Sequence, residues 1–74
     1  MLNINKQERI SPKQIRNLLG LSQEEIALKL NISREHYARI EKDSNLFRKS
    51  KIDVAINLAK LGGLSLDQVD FFWN

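Results

Sequence analysis

The chain of 74 residues contains no cysteine, a single histidine and a single proline. Without cysteine it can form neither a disulfide nor a thiolate metal site, and one histidine excludes most other metal sites. We therefore expect no metal and no other cofactor. Hydrolytic or transfer chemistry needs a nucleophile or a metal in a cleft, and this composition supplies neither. We expect that the protein is not an enzyme.

Long apolar runs are also missing from the sequence. No run approaches the roughly 20 residues of a membrane span, and the first six residues are too polar for a secretory signal. These features predict a cytoplasmic protein with no membrane partner. The length allows one compact domain with a thin core, which dimerisation would help to stabilise.

The net charge is only +3, but its distribution is uneven. Residues 34–51 hold six lysines and arginines against three acids, whereas residues 52–74 hold one against three. Such a local excess is typical of a surface that meets phosphates, and it is equally typical of a solvated face. Composition alone leaves both interpretations open.

Five of the chain's serines each precede a segment with apolar residues at helical spacing. A serine hydroxyl caps a helix N-terminus, and Glu or Gln three residues later completes a capping box. The pattern predicts a compact, all-α fold of five helices. These begin after Ser11, Ser22, Ser33, Ser50 and Ser65.

The ends of the predicted helices follow from residues that leave the helical conformation. Gly20 ends helix one and Asn31 ends helix two, because both accept the left-handed conformation. Helix three runs to about Lys42, residues 43–49 form a loop, and helix four ends at residues 62–63. A short fifth helix contains Leu66, Val69 and Phe72.

The predicted domain spans residues 11–74, and residues 1–10 form an N-terminal extension. Residues 2–4 alternate between apolar and polar side chains. They form either a stray strand or a frayed terminus.

Helices two and three are separated only by residues 31–33, which is short enough for nothing but a tight turn. This is the geometry in which the second helix of a pair enters the DNA major groove. Ala27 provides the small side chain where the helices cross. Tyr37 and Ile40 face inward from helix three.

At these residues the chain resembles the lambda-repressor/Cro-like helix-turn-helix family, also called the xenobiotic-response-element family. The strongest stretch is residues 21–27, continuing through residues 31–33 to residues 37–42, and the resemblance covers about residues 12–69. Two positions differ, since the family usually has Gly where this chain has Asn31 and Asp43. Residues 43–49 are also longer than the common pattern and lack its usual proline.

The resemblance implies a sequence-specific regulator that binds double-stranded DNA with helix three. We expect a repressor of phage or mobile-element type, because almost nothing is appended to the DNA-reading domain. The alternative is an antitoxin, or another protein-interaction module, that uses the same fold to bind a toxin or other protein partner.

Four residues of helix three would face the groove and contact bases: Arg34, Glu35, Ala38 and Arg39. Arginine can bind guanine bidentately, glutamate can accept from cytosine, and alanine allows close approach to a thymine methyl. Alternatively, Glu35 and Arg39 form a surface ion pair four residues apart. Both interpretations can hold together.

Further residues are predicted to contact phosphates, and they are Ser22, Gln23, Ser33, His36, Lys42, Arg48, Lys49 and Lys51. Gln23 matches a family glutamine that bridges a phosphate and the recognition helix, although it could be a simple polar first-turn residue. His36 is either a phosphate contact or a partly buried packing residue. Arg48 and the two lysines after it could instead be the solvated end of an exposed loop. The resemblance also implies a salt bridge between Arg16 and Glu41.

Three aromatic residues crowd the C-terminus: Phe71, Phe72 and Trp73. They cannot all point inward from one helix, and an exposed aromatic cluster indicates a partner surface. We expect a homodimer interface here, with a palindromic operator to match its two-fold symmetry. The alternative is a tail that folds back on its own domain.

Overall fold

The structure, a computed structural model, describes Asn5 and residues 7–73. The alternating residues 2–4 lie outside the described part. Five α-helices confirm the all-α fold: α1 (Pro12–Leu19), α2 (Gln23–Leu30), α3 (Arg34–Lys42), α4 (Ser44–Lys49) and α5 (Ile52–Gly62). A single 3₁₀ turn follows at Leu66–Gln68. Among the described residues, no helix is long and apolar enough to cross a membrane.

The first three helices begin where the serine pattern predicts. The Ser11 hydroxyl accepts from the Gln14 amide while the Gln14 side chain accepts from the Ser11 amide, which completes a capping box. Ser22 and Glu25 form the same reciprocal pair at α2. Local hydrogen bonds therefore fix the starts of both helices.

The segment predicted as a loop is instead the helix α4. The Asp43 side chain accepts from the Asn45 amide at 3.0 Å, so a carboxylate caps this helix in place of a serine. The helix forms because it carries Phe47 into the core, where that ring is only 2% exposed. The prediction of a loop at residues 43–49 was wrong because long-range burial stabilises the segment.

The predicted cap at Ser50 was also wrong. The Ser50 hydroxyl donates to the Leu46 carbonyl at 3.0 Å, so this serine closes α4. The next helix, α5, begins at Ile52 without a side-chain cap.

The predicted fifth helix is reduced to one 3₁₀ turn, and Phe72 lies beyond it. Val69 instead forms an isolated parallel bridge with Ile10. The Ile10 amide donates to the Gln68 carbonyl at 2.9 Å, and the Asp70 amide donates to the Ile10 carbonyl at 2.8 Å. These bonds use backbone groups that a longer helix would need. They also fix Ile10, the last residue of the predicted N-terminal extension, against the core.

The core lies where α1, α2, α3 and α5 meet. Tyr37 and Ile40 are fully buried, which confirms the predicted inward face of helix three. Ala27 is 1% exposed in α2, which packs closely against α3. A larger side chain at this position would separate the two helices.

Asn31 makes the turn between α2 and α3. Its φ of 60° lies in the left-handed region, and it is the only non-glycine with positive φ among the described residues. The Asn31 amide donates to the Leu28 carbonyl, and the Ile32 amide donates to the Ala27 carbonyl at 3.0 Å. This Schellman arrangement ends α2 and starts α3 within three residues.

Replacing Asn31 therefore tests whether the turn requires a residue that accepts the left-handed backbone conformation. We expect Asn31→Val to lower the free energy of unfolding by about 1–2 kcal/mol, because a β-branched residue resists the left-handed conformation. Asn31→Gly is the matched control and should stay within about 1 kcal/mol of the wild type. Urea denaturation measures both. Equal stabilities for the two variants would contradict this account of the turn.

Candidate nucleic-acid interface

Helix α3 presents one face to the core and the opposite face to solvent. Its N-terminus is capped by the Ser33 hydroxyl, which accepts from the His36 amide at 3.0 Å. Arg34, Glu35 and Arg39 are exposed and Ala38 is half-buried. The four residues predicted to contact bases therefore share an outward stripe, behind which the core fixes the helix.

The alternative pairing on this stripe does not occur. Within the described part of the chain, Glu35 and Arg39 form no salt bridge, and the only such pair joins Arg16 to Glu41. Spacing of four residues permits an ion pair, but two exposed side chains gain little from it. Both groups remain available on the outward face.

The ion pair between Arg16 and Glu41 lies behind the outward stripe. Arg16 Nε donates to Glu41 Oε2 at 2.6 Å, and Arg16 Nη2 donates to Oε1 at 3.3 Å. Another donor of the same guanidinium, Nη1, reaches the Leu21 carbonyl at 3.0 Å. The Glu41 side chain is 4% exposed. One arginine thus ties α1 to the end of α3 and to the residue before the α2 cap.

Gln23 joins the same carboxylate. Its Nε2 donates to Glu41 Oε1 at 3.1 Å. Because a carboxylate only accepts, the amide nitrogen of Gln23 must face Glu41, and its second proton remains available to another acceptor. The glutamine predicted to bridge a phosphate and the recognition helix is therefore already bonded to that helix.

The buried network shifts the protonation of its members. Burial alone would raise the pKa of Glu41, but hydrogen bonds from Arg16, then Tyr37 and Gln23, outweigh it and lower the pKa below its ordinary value. Burial raises the pKa of Tyr37. The single hydroxyl proton of Tyr37 has two acceptors within reach, the Glu41 carboxylate and the Pro12 carbonyl at 3.3 Å. Glu41 is thus ionised and Tyr37 is neutral in the folded protein at neutral pH.

The residues predicted to contact phosphates fall into separate groups. Ser22 and Ser33 accept amide protons as caps, which leaves each hydroxyl proton to donate elsewhere. His36 is half-buried and lines one cavity together with Lys49 and Lys51. Lys42 is exposed in the last turn of α3 and does not line this cavity.

Arg48 differs from its neighbours because it contacts the chain itself. Its Nη1 donates to the Phe71 carbonyl at 2.6 Å and to the Ser44 hydroxyl at 3.2 Å. Its guanidinium carbon lies 4.5 Å from the centre of the Phe72 ring. Sequence reasoning missed this role. The apolar pair at residues 46–47 behind Asp43 was the available signal for the helix that carries it.

The C-terminal aromatic residues divide in the same way. Phe71 stacks on Phe47 with ring centres 4.9 Å apart, and Trp73 lies 5.6 Å from the same ring. These two residues follow the alternative of a tail folded back on its own domain. Phe72 lies against the Arg48 guanidinium instead of the Phe47 ring and is 75% exposed. Of the three predicted dimer residues, it alone offers most of its ring to a partner.

Two helices joined by a tight turn, with the second helix anchored behind and exposed in front, define a helix-turn-helix protein. Residues 13–69 match a family model described as helix-turn-helix, and this covers most of the chain. The chain belongs to this family, the lambda-repressor/Cro-like helix-turn-helix proteins, which are DNA-binding regulators. The resemblance predicted from the sequence is confirmed. Comparisons with curated proteins and with solved structures found no match.

Removing the arginine from the buried pair tests its role in the fold. We expect Arg16→Met to lower the free energy of unfolding by about 3 kcal/mol, because it leaves the buried Glu41 charge without its main partner. Lys13→Met removes an exposed positive charge from the same helix and is the matched control. Urea denaturation measures both. A loss below about 1 kcal/mol for Arg16→Met would mean that the pair behaves like a surface pair.

The lowered pKa of Glu41 also predicts how stability depends on pH. A carboxylate with a depressed pKa in the folded state stabilises the protein above its unfolded-state pKa, and this is lost as the pH falls through the folded-state value. We expect Glu41→Gln to be less stable than the wild type at about pH 7. The difference should shrink as the pH falls to about 3, past the ordinary glutamate pKa of about 4.3.

Urea denaturation at a series of pH values measures this convergence. Glu24→Gln, which removes an exposed negative charge from α2, controls for the change in net charge. A difference between wild type and Glu41→Gln that stays constant across the range would contradict the linkage.

Proposed function

We propose that this protein is a sequence-specific transcriptional regulator that reads the major groove of double-stranded DNA with α3. The observation that carries the proposal is the outward stripe of Arg34, Glu35, Ala38 and Arg39 on a helix anchored through Glu41. A helix can distinguish base sequences only if its position within the protein is fixed, because other parts of the protein contact the DNA backbone. The bonds that reach Glu41 from α1 and α2 provide this fixed position.

The stripe has the chemistry for direct base contacts. Arg34 and Arg39 each carry a planar donor pair that matches the two acceptors of guanine, and Glu35 can accept from the cytosine amino group. Ala38 leaves room for a thymine methyl between them. We therefore expect an operator half-site that includes G·C pairs.

Backbone phosphates on either side of the groove would hold the helix in register. Gln23 stands at the N-terminus of α2, where free amides and the helix dipole favour an anion. Its second amide proton is the donor that we assign to a phosphate. We assign a second phosphate to the cavity that His36, Lys49 and Lys51 line on the flank of α3. Lys42 adds positive charge at the C-terminal end of α3.

We further propose that the protein acts as a homodimer on a palindromic operator and represses by occupying it, as regulators of phage or mobile-element type do. Phe72 supports a dimer contact because its ring is 75% exposed. An aromatic side chain with this much exposed surface offers apolar area that a partner can bury. A second copy of this chain is the partner that would also match a two-fold operator.

Selection of bound sites from a random DNA pool, followed by titration at several salt concentrations, tests the proposal. We expect an enriched palindrome. Arg34→Ala and Arg39→Ala should each weaken binding to it by about 1–3 kcal/mol and relax the preference at one position. Lys42→Ala should weaken binding to all sequences equally and reduce the salt slope by about one.

Lys13→Ala is the charge control, since Lys13 lies on α1 outside the proposed surface. Binding that is absent at low salt, or that survives loss of both arginines, would contradict DNA reading by α3. An enriched site without two-fold symmetry would contradict the dimer. A tight protein partner that co-purifies from native cells and blocks DNA binding would favour the antitoxin function instead.

A further inference from the structure

We propose that the C-terminal segment, residues 70–73, positions part of the DNA-binding surface by fixing α4. Residues 70–73 are the tail, and Arg48 is a positioning residue that acts through it. It does not contact a phosphate. The inference rests on the proposed function, because its consequence is read out as DNA affinity.

Helix α4 cannot hold its position alone. It has six residues, far fewer than the roughly 12 that an isolated helix needs for marginal stability in water. Its buried anchor is Phe47, and that ring is covered by Phe71 and Trp73 of the tail. Stacked aromatic rings contribute beyond the area they bury. The tail thus supplies part of the packing that holds α4 in place, beside the contacts of α4 with α3.

Arg48 ties the same two segments together from the outside. Its Nη1 reaches the carbonyl of Phe71 at 2.6 Å, and its guanidinium lies over the ring of Phe72. On the α4 side it donates to the Ser44 hydroxyl and the Asn45 side chain. A guanidinium held by these partners is directed toward the tail. A phosphate contact would require it to leave them.

The base of the tail is itself fixed to the core. The Asp70 amide donates to the Ile10 carbonyl at 2.8 Å, next to the buried Val69. The Asp70 side chain then accepts from the Phe72 amide at 2.8 Å, which turns the chain toward α4. The tail is therefore bonded to the core at its first residue and packs on α4 at its end.

The position of α4 matters because Lys49 is its last residue and Lys51 follows two positions later. Lys49 and Lys51 line one cavity with His36, on the flank of the recognition helix. If α4 moves, these lysines leave the flank while the bonds of Glu41 still hold α3. Release of the tail should therefore weaken phosphate contacts and leave base reading intact.

Substitution of Arg48 separates the two roles. Arg48→Ala and Arg48→Lys should both lower DNA affinity about fivefold, within the range for coupled residues in contact. A lysine keeps the charge but cannot reproduce the planar set of bonds to the tail. If Arg48 contacts a phosphate directly, Arg48→Lys should bind DNA nearly as tightly as the wild type and more tightly than Arg48→Ala. That result overturns the proposal. Lys60→Ala, which removes an exposed positive charge from the end of α5, is the matched control.

A double-mutant cycle with Phe71→Ala provides the second test and leaves Phe72 for the dimer contact. We expect Phe71→Ala to lower affinity by a similar factor, and Arg48→Ala to add little once Phe71 is gone. Independent, multiplying effects would overturn the proposal. Sedimentation of each variant serves as the control that its oligomeric state equals that of the wild type.

Hydrogen exchange of the free protein tests whether the tail supports α4 independently of DNA binding. In Phe71→Ala the amides of Phe47 and Ser50 in and after α4 should lose protection, while those of Ile26 and Tyr37 keep it. Unchanged protection in α4 would overturn the support role even if the protein binds DNA. Loss of α4 protection in a protein that binds no DNA would instead contradict the proposed function alone.

Discussion

The orientation of α3, the helix that we propose faces DNA, depends on the buried carboxylate of Glu41. A charge with so little exposure must be paired and hydrogen-bonded, or it would cost several kcal/mol. Its donors come from two other helices, Arg16 on α1 and Gln23 on α2. The carboxylate lies near the end of α3, so its donors are satisfied only when α3 lies at one angle to both helices. The hydrogen bonds that this single buried charge requires thus fix the orientation of α3.

The parts of the fold that follow from local signals could be predicted from the sequence. Ser11 and Ser22 cap their helices through bonds that span three residues, so sequence spacing alone identifies them. Asn31 ends α2 because few other residues accept its backbone conformation. The apolar spacing of Tyr37 and Ile40 gives the buried face of α3, and the outward stripe is what remains. Most of the candidate base-reading surface is therefore a local property of the sequence.

The parts that the sequence did not reveal depend on partners distant along the chain. Phe47 makes residues 44–49 helical through the core and through Phe71, which is 24 positions away. Ser50 precedes a segment with helical apolar spacing, as Ser22 does, yet its hydroxyl closes the preceding helix. Val69 leaves the predicted helix because Ile10 offers its backbone groups. Local sequence patterns cannot show which of these alternative partners is more stable, because most of the stabilising free energy of a helix comes from tertiary contacts.

This division has a consequence for how the surface can change. Arg34, Glu35 and Arg39 are exposed, and among the described residues their side chains bond to no buried group, so they can be exchanged with little effect on folding. In our proposal the lysines at residues 49 and 51 depend instead on α4, and through it on the aromatic contacts of the tail. Sequence preference and affinity for the DNA backbone would then rest on different contacts within one small domain. We therefore propose that a change in the tail would alter DNA affinity without altering which bases α3 contacts.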